Sequence, residues 1–276
     1  MTRSILITGC SSGIGYDAAH TLRDRGWQVF ASCRKAEDCV RLRDEGFVSP
    51  RLDYEDADTI RTAVAEVLQA TGGTLDALYN NGAYGIPGLV EDLPRAAFDA
   101  ILQANLIGPQ DLTRQIIPAM RAQGHGRIVN CTSVFGYAAS PWRGAYIATK
   151  HGLEGLTDSL RLELHGTGIH VSLIQPGLIA TKFGENSGRE LEKWIDWRRS
   201  ARARDYETTL LDKSRGRAAV ARLEAPASDV TRKLIHALDS PRPRARYRVT
   251  KLAELVNVLD RVLPTRATDW IIRRVT

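Results

Sequence analysis

Ser4-Ile5-Leu6-Ile7-Thr8-Gly9-Cys10-Ser11-Ser12-Gly13-Ile14-Gly15 stands near the N-terminus, and its reading decides the fold. Residues 4–8 form a short β-rich apolar run, residues 9–15 hold three glycines, and residues 13–25 place apolar side chains at helical spacing until Gly26 stops them. A strand that runs through a glycine loop directly into a helix is the frame in which such a loop binds a dinucleotide. Gly9 permits the tight turn, Gly13 lets backbone approach a pyrophosphate, and Gly15 lets helix pack close on strand. The helix N-terminus offers free N–H groups and a favourable dipole to the phosphates, with Ser11, Ser12 and Ile14 completing the loop. The rival reading, a bare turn, does not account for the helix that follows at once.

Beyond this segment the same beat repeats. Further strands are predicted at 27–33, 47–52, 75–79, 127–132 and 169–175, separated by helical stretches near 36–45, 56–71, 95–122 and 144–166. Alternating β and α with continuous apolar strands implies an α/β fold of Rossmann type: a doubly wound parallel sheet in a three-layer αβα arrangement. After residue 177 the beat fails, then resumes with a helix at 227–239 and a short strand near 245–249. The chain thus reads as one catalytic domain over 1–250 with a late substrate lid at about 178–224, followed by a C-terminal helical extension over 251–276. In that extension Leu252, Leu255, Val256, Leu259, Val262 and Leu263 share a helical face before Pro264, fit to cover the lid, meet a partner or touch lipid.

A chain of 276 residues with 43% hydrophobic and 25% charged residues buries an ample core without staples, which excludes disordered, fibrous and disulfide-scaffold classes. Cys10, Cys33, Cys39 and Cys131 have no CxxC or His-rich spacing, so they read as free thiols and no metal is expected. No apolar run approaches the roughly 18 residues of a spanning helix. Met1-Thr2-Arg3 lacks the features of a signal peptide, so a cytoplasmic protein is expected. The six histidines are scattered and Gly-Xaa-Ser-Xaa-Gly is absent, which argues against a serine hydrolase.

The end of the second strand selects the cofactor. An acidic residue there suits a ribose 2′-hydroxyl and a basic one a 2′-phosphate; here Ser32-Cys33-Arg34-Lys35 offers no carboxylate before Glu37. Arg34, with Ser12 and Lys35, favours NADP(H) over NAD(H) through charge-assisted hydrogen bonds. Further on, Tyr146-Ile147-Ala148-Thr149-Lys150 sets a phenol and an ammonium four residues apart on one helical face. The ammonium is expected to lower the phenol pKa and make Tyr146 a proton donor and acceptor near neutral pH. Ser133, thirteen residues earlier, stands at the C-terminal end of a predicted parallel strand, where ligands bind in such sheets. Thr132 offers a second hydroxyl, but the spacing favours Ser133.

These motifs, with Asn80-Asn81, Asn105 and Pro176-Gly177, resemble the short-chain dehydrogenase/reductase family in its single-domain branch, in order and spacing over about residues 4–181. Within it the chain is most similar to the 17β-hydroxysteroid dehydrogenase-like and retinol dehydrogenase-like group, from Cys10-Ser11-Ser12 and the run at 150–156. The resemblance implies an enzyme acting on CH–OH groups. Tyr146 exchanges the proton, Ser133 hydrogen-bonds the carbonyl oxygen, and Lys150 binds the nicotinamide ribose. Asn105 holds a water that links Lys150 to solvent. Asp53 meets adenine, Asn81 the adenosine-side ribose, and Ile179 with Thr181 the carboxamide. It further implies a homodimer or homotetramer built through helices near 95–122 and 144–166. One departure is Asn80-Asn81-Gly82-Ala83, where the family has Ala before Gly.

The expected substrate is a small carbonyl or alcohol, lipophilic if Phe183, Leu191, Trp194, Ile195 and Trp197 line an apolar cavity. The same side chains suit packing of the lid onto the body. Charge is uneven: residues 1–188 hold 17 basic against 20 acidic residues, and 189–276 hold 21 against 12. No nucleic-acid partner is expected. A cofactor sensor or membrane-surface binder on the same fold is the competing class, though a sensor would be expected to lack Tyr146 or Lys150.

Overall fold

The computed structural model describes residues 2–212 and 224–275. Six strands, β1 (Ser4–Ile7), β2 (Gln28–Ala31), β3 (Ala77–Asn80), β4 (Gly126–Cys131), β5 (Ile169–Gln175) and β6 (Arg246–Arg248), form one sheet. Its order is β2-β1-β3-β4-β5-β6, with every neighbouring pair parallel. All strands therefore end on one edge, and the order reverses between β1 and β3, where open α/β sheets form their ligand crevice.

The strand period of two divides the core between the two faces. Ile5, Ile7, Tyr79, Val129 and Cys131 pack on one face, under helices α1 (Gly13–Asp24) and Ala227–Asp239. Leu6, Leu78 and Ile128 pack on the other, against helices Ala57–Ala70 and Gly108–Gln123. Both layers are needed because each parallel strand is apolar on both sides.

Two expected elements differ. The strand at 47–52 is reduced to isolated parallel bridges, Phe30 with Val48 and Cys33 with Arg51. It lies at the sheet edge, and Pro50 between the bridges has no N–H for a ladder. The helix at 95–122 is two helices, Arg95–Leu102 and Gly108–Gln123, joined by a π-helical turn at Gln103–Ile107. Pro109 causes the break: it has no N–H for the carbonyl of Asn105 four residues earlier.

In the expected lid, the helix Phe183–Trp194 and the segment at 197–211 lie over the strand ends, while residues 213–223 fall outside the described residues. The C-terminal extension is two helices, Lys251–Val262 and Thr265–Val275. The first turns Ala253 and Asn257 inward and leaves Leu252, Leu255, Val258 and Val262 exposed. Among the described residues, no helix is long and apolar enough to cross a membrane.

Candidate active site

The glycine loop sits in the β1/β3 crevice. Gly9 (φ +70°) runs so close to the loop after β3 that a Cβ on it would lie 2.7 Å from Gly82 Cα, and one on Gly15 would overlap the Gly9 carbonyl. Gly13 (φ +61°) faces the Thr181 methyl, 3.0 Å from where its own Cβ would stand. Ser12 is the N-cap of α1, yet its hydroxyl makes no capping bond and the first turn holds no acidic residue. Uncommitted N–H groups, a free hydroxyl and a side-chain-free cradle fit a pyrophosphate. Arg34, exposed at the end of β2, has no ion pair among the described residues. Arg41, a residue the sequence reading passed over, donates to the Ser11 carbonyl at 2.7 Å and pins the loop from outside.

Asn81 donates its amide to the carbonyls of Thr8 (3.0 Å) and Gly9 (3.4 Å), so its donor end props the loop. Asp53 lies half-buried beside the crevice and accepts from Glu55 N at 3.1 Å. Beneath them a buried polar chain crosses the sheet. Thr8 hydroxyl meets Tyr54 hydroxyl at 2.8 Å, Tyr54 donates to Asn80, Asn80 to Asn130, and Asn130 to Thr157. Such a satisfied network locks the strand ends that carry the site.

At the far end of the crevice β4 runs out into Cys131-Thr132-Ser133. Thr132 is consumed elsewhere, donating to Glu154 Oε1 at 2.6 Å, while the Ser133 hydroxyl faces the Tyr146 phenol. Tyr146 and Lys150 lie on the helix Gly144–Glu163, and Phe135 and Phe183 flank the Tyr146 ring edge-on at 6.3 and 5.3 Å. The expected lowering of the phenol pKa does not occur. Burial pushes it up and outweighs the lowering by Ser133 and by the Arg143 guanidinium. Lys150 donates instead to the Cys131 carbonyl at 2.9 Å, 5.5 Å from the Tyr146 ring centroid, and burial pulls its own pKa down.

Asn105 is likewise committed. Its side chain brackets Tyr84, accepting from N at 3.1 Å and donating to O at 2.8 Å, and also donates to Thr149 at 3.3 Å. Ile179 pairs as a parallel bridge with Ala225, and the Thr181 hydroxyl accepts from Phe183 N. Of the lid residues, Leu191, Ile195 and Trp197 are buried against Ile86, Ala97 and Tyr206, so they fasten the lid; Phe183 reaches Tyr146. Trp194 is partly buried and donates to Glu190.

Residues 3–192 match the family model for short chain dehydrogenase, and the chain belongs to that family of oxidoreductases acting on CH–OH groups. It is 37% identical over 274 residues to the uncharacterized oxidoreductase YbbO of Escherichia coli K12, covering 99% of this chain and 95% of that one. It is 33% identical to mouse retinol dehydrogenase 5, covering 98% and 89%. Among solved structures, an actinorhodin polyketide ketoreductase with NADPH superposes with TM-score 0.73 at 26% identity, covering 90% of this chain and 96% of that one. A Burkholderia phymatum short chain dehydrogenase/reductase in complex with NAD has the same fold, with TM-score 0.79 at 23% identity and 93% and 92% covered.

Proposed function

We propose that the protein is an NADP(H)-dependent oxidoreductase that interconverts a carbonyl and a primary or secondary alcohol of a lipophilic substrate. The observation that carries this reading is the convergence of Ser133 and Tyr146 beside the glycine cradle, with aromatic rings on both sides of the phenol. The bound nicotinamide supplies or accepts the hydride. Tyr146 gives its proton to the carbonyl oxygen in reduction and takes it back in oxidation. Ser133 donates to that oxygen as negative charge develops on it. Lys150, held on Cys131, binds the nicotinamide-side ribose, and the Asn105 carbonyl holds the water that carries protons to solvent.

Gly9, Ser11, Ser12, Gly13, Ile14 and Gly15 hold the pyrophosphate, and Arg34 with Ser12 the 2′-phosphate. Asp53 and Asn81 border the adenosine, and Ile179 and Thr181 the carboxamide. The relative named for retinol and the rings of Phe135 and Phe183 support an apolar substrate. Exposed Ile107 and Leu156, which line a shallow cavity of about 370 Å³, support assembly of copies through this helical face.

The test is NADPH consumption across a panel of carbonyl compounds by wild type and Tyr146→Phe in parallel. The variant is expected to lose at least ~100-fold in kcat while still binding NADPH. Undiminished turnover in the variant removes Tyr146 from the mechanism.

A further inference from the structure

Arg143 brings a positive charge to the wall of this site without an acidic partner. It is the N-cap of the helix Gly144–Glu163, one turn before Tyr146, and is half-buried; among the described residues its guanidinium makes no hydrogen bond or ion pair. Among the described residues, other half-buried arginines have hydrogen-bond partners for their guanidinium groups. Arg246 meets Glu154 at 3.1 Å and Asp158 at 2.5 Å, Arg248 donates to Asn257 at 2.8 Å, and Arg127 to the Ser240 carbonyl at 3.1 Å. The Arg143 guanidinium lies within electrostatic reach of the Tyr146 phenol, and burial without a counter-ion pulls its own pKa down.

The backbone that presents it is held firmly. Trp142 has φ +66°, the one positive value outside glycine among the described residues. Its carbonyl accepts from Gly88 N at 2.9 Å, and its ring meets Tyr206 edge-on at 5.0 Å. A bulky residue kept in the left-handed region by such contacts marks a segment whose shape is over-determined, as at ligand clamps. A guanidinium taken from water costs free energy unless an anion meets it, and its planar donor fork matches a carboxylate.

We infer that Arg143 binds a carboxylate of the substrate, so that the enzyme acts on a lipophilic keto acid or the corresponding hydroxy acid. The carbonyl oxygen rests between Ser133 and Tyr146, the carboxylate reaches Arg143 one turn away, and the apolar part of the chain lies among Phe135 and Phe183. The carboxylate is unchanged in the step: hydride adds to the carbonyl carbon as the Tyr146 proton goes to its oxygen. This assignment rests on the reductase reading above and narrows its substrate class.

The experiment compares a medium-chain γ-keto acid with its methyl ester, using NADPH and wild type, Arg143→Leu, Arg143→Lys and Tyr146→Phe. Charged hydrogen bonds of this kind set the acid-over-ester preference in kcat/KM at ~10 to 100-fold for wild type. Arg143→Leu is expected to abolish that preference while holding ester turnover within about threefold, and Arg143→Lys to keep an intermediate preference because it retains charge but not the fork. Equal wild-type rates on acid and ester, or equal losses on both in Arg143→Leu, overturn the carboxylate site and leave the reductase reading standing. No reduction of either compound by wild type overturns the keto-acid assignment and leaves the reductase reading to the carbonyl panel; full activity in Tyr146→Phe overturns the reductase reading and the site with it.

Discussion

The ammonium of Lys150 gives its hydrogen bond to the Cys131 carbonyl at 2.9 Å while standing 5.5 Å from the centre of the Tyr146 ring. The cation is therefore beside the phenol without being spent on it, and burial sets the Tyr146 pKa above its ordinary value. The consequence is directional. Reduction needs the protonated phenol, which is present throughout the neutral range, so kcat for reduction should be flat from about pH 6 to 9. Oxidation needs the phenolate, so its kcat should climb about tenfold per pH unit over the same range. Steady-state profiles in both directions check this; an oxidation limb that levels off near neutrality would show that the phenol pKa is lowered after all.

Arg34 gives a test of cofactor choice. Its guanidinium is exposed and free of ion pairs among the described residues, and the Ser12 hydroxyl in the glycine loop makes no capping bond. Arg34→Ala should raise the NADPH dissociation constant about tenfold or more and change that for NADH by less than about twofold, since only the first carries a dianionic 2′-phosphate. Titration by protein fluorescence measures both constants. Equal weakening of the two cofactors would take Arg34 out of phosphate recognition.

Alkaline stability follows from the same burial. Tyr137 and Tyr206 are pushed up to about 12, and Tyr54, Tyr79 and Tyr146 are also raised by desolvation. In each case the folded pKa exceeds the unfolded value near 10, so the unfolded chain loses its protons first. The contribution of these phenols is whole below pH 10 and is lost as pH rises through the folded values. Urea unfolding at a series of pH values should therefore show a stability that falls steeply above about pH 10, with tyrosinate absorbance rising in step with unfolding. Tyrosinate absorbance that completes before any loss of structure would contradict this.

Much of this architecture is legible in the amino-acid order because periodicity is a local signal. Ile5, Leu6 and Ile7 read as a strand buried on both faces, and Gly9, Gly13 and Gly15 need only their immediate frame to announce a cradle. What escaped reading depends on partners distant in sequence. The spacing to Tyr146 already favours Ser133 over Thr132, but nothing local says that Thr132 will be taken by Glu154, or that Asn81 will be spent on the carbonyls of Thr8 and Gly9. Arg143 looks like any surface arginine until the fold half-buries it near a phenol without an acid. Pro109 was readable in principle, since a proline fifteen residues into a predicted helix breaks one hydrogen bond at a known carbonyl.

Tyr206 tests how the lid is held. Its hydroxyl donates to Asp92 Oδ2 at 2.8 Å and accepts from Leu89 N at 2.9 Å, while its fully buried ring stacks on Trp197 at 6.0 Å. Asp92 keeps a second donor, the Ser200 hydroxyl at 2.8 Å. Tyr206→Phe thus preserves the ring packing, strands the Leu89 N–H and removes one of two donors to the carboxylate, at a cost of about 1–3 kcal/mol. Because the contacts join the 197–211 segment to the loop before residue 95, the loss should appear as a raised KM for a bulky carbonyl with kcat within about twofold. Tyr206→Leu removes the ring as well and should cost about 3–5 kcal/mol of stability by denaturant unfolding. If Phe and Leu variants lose equally, the hydroxyl is the whole of the clasp; if the Phe variant matches wild type in KM and stability, the aromatic packing alone holds the lid.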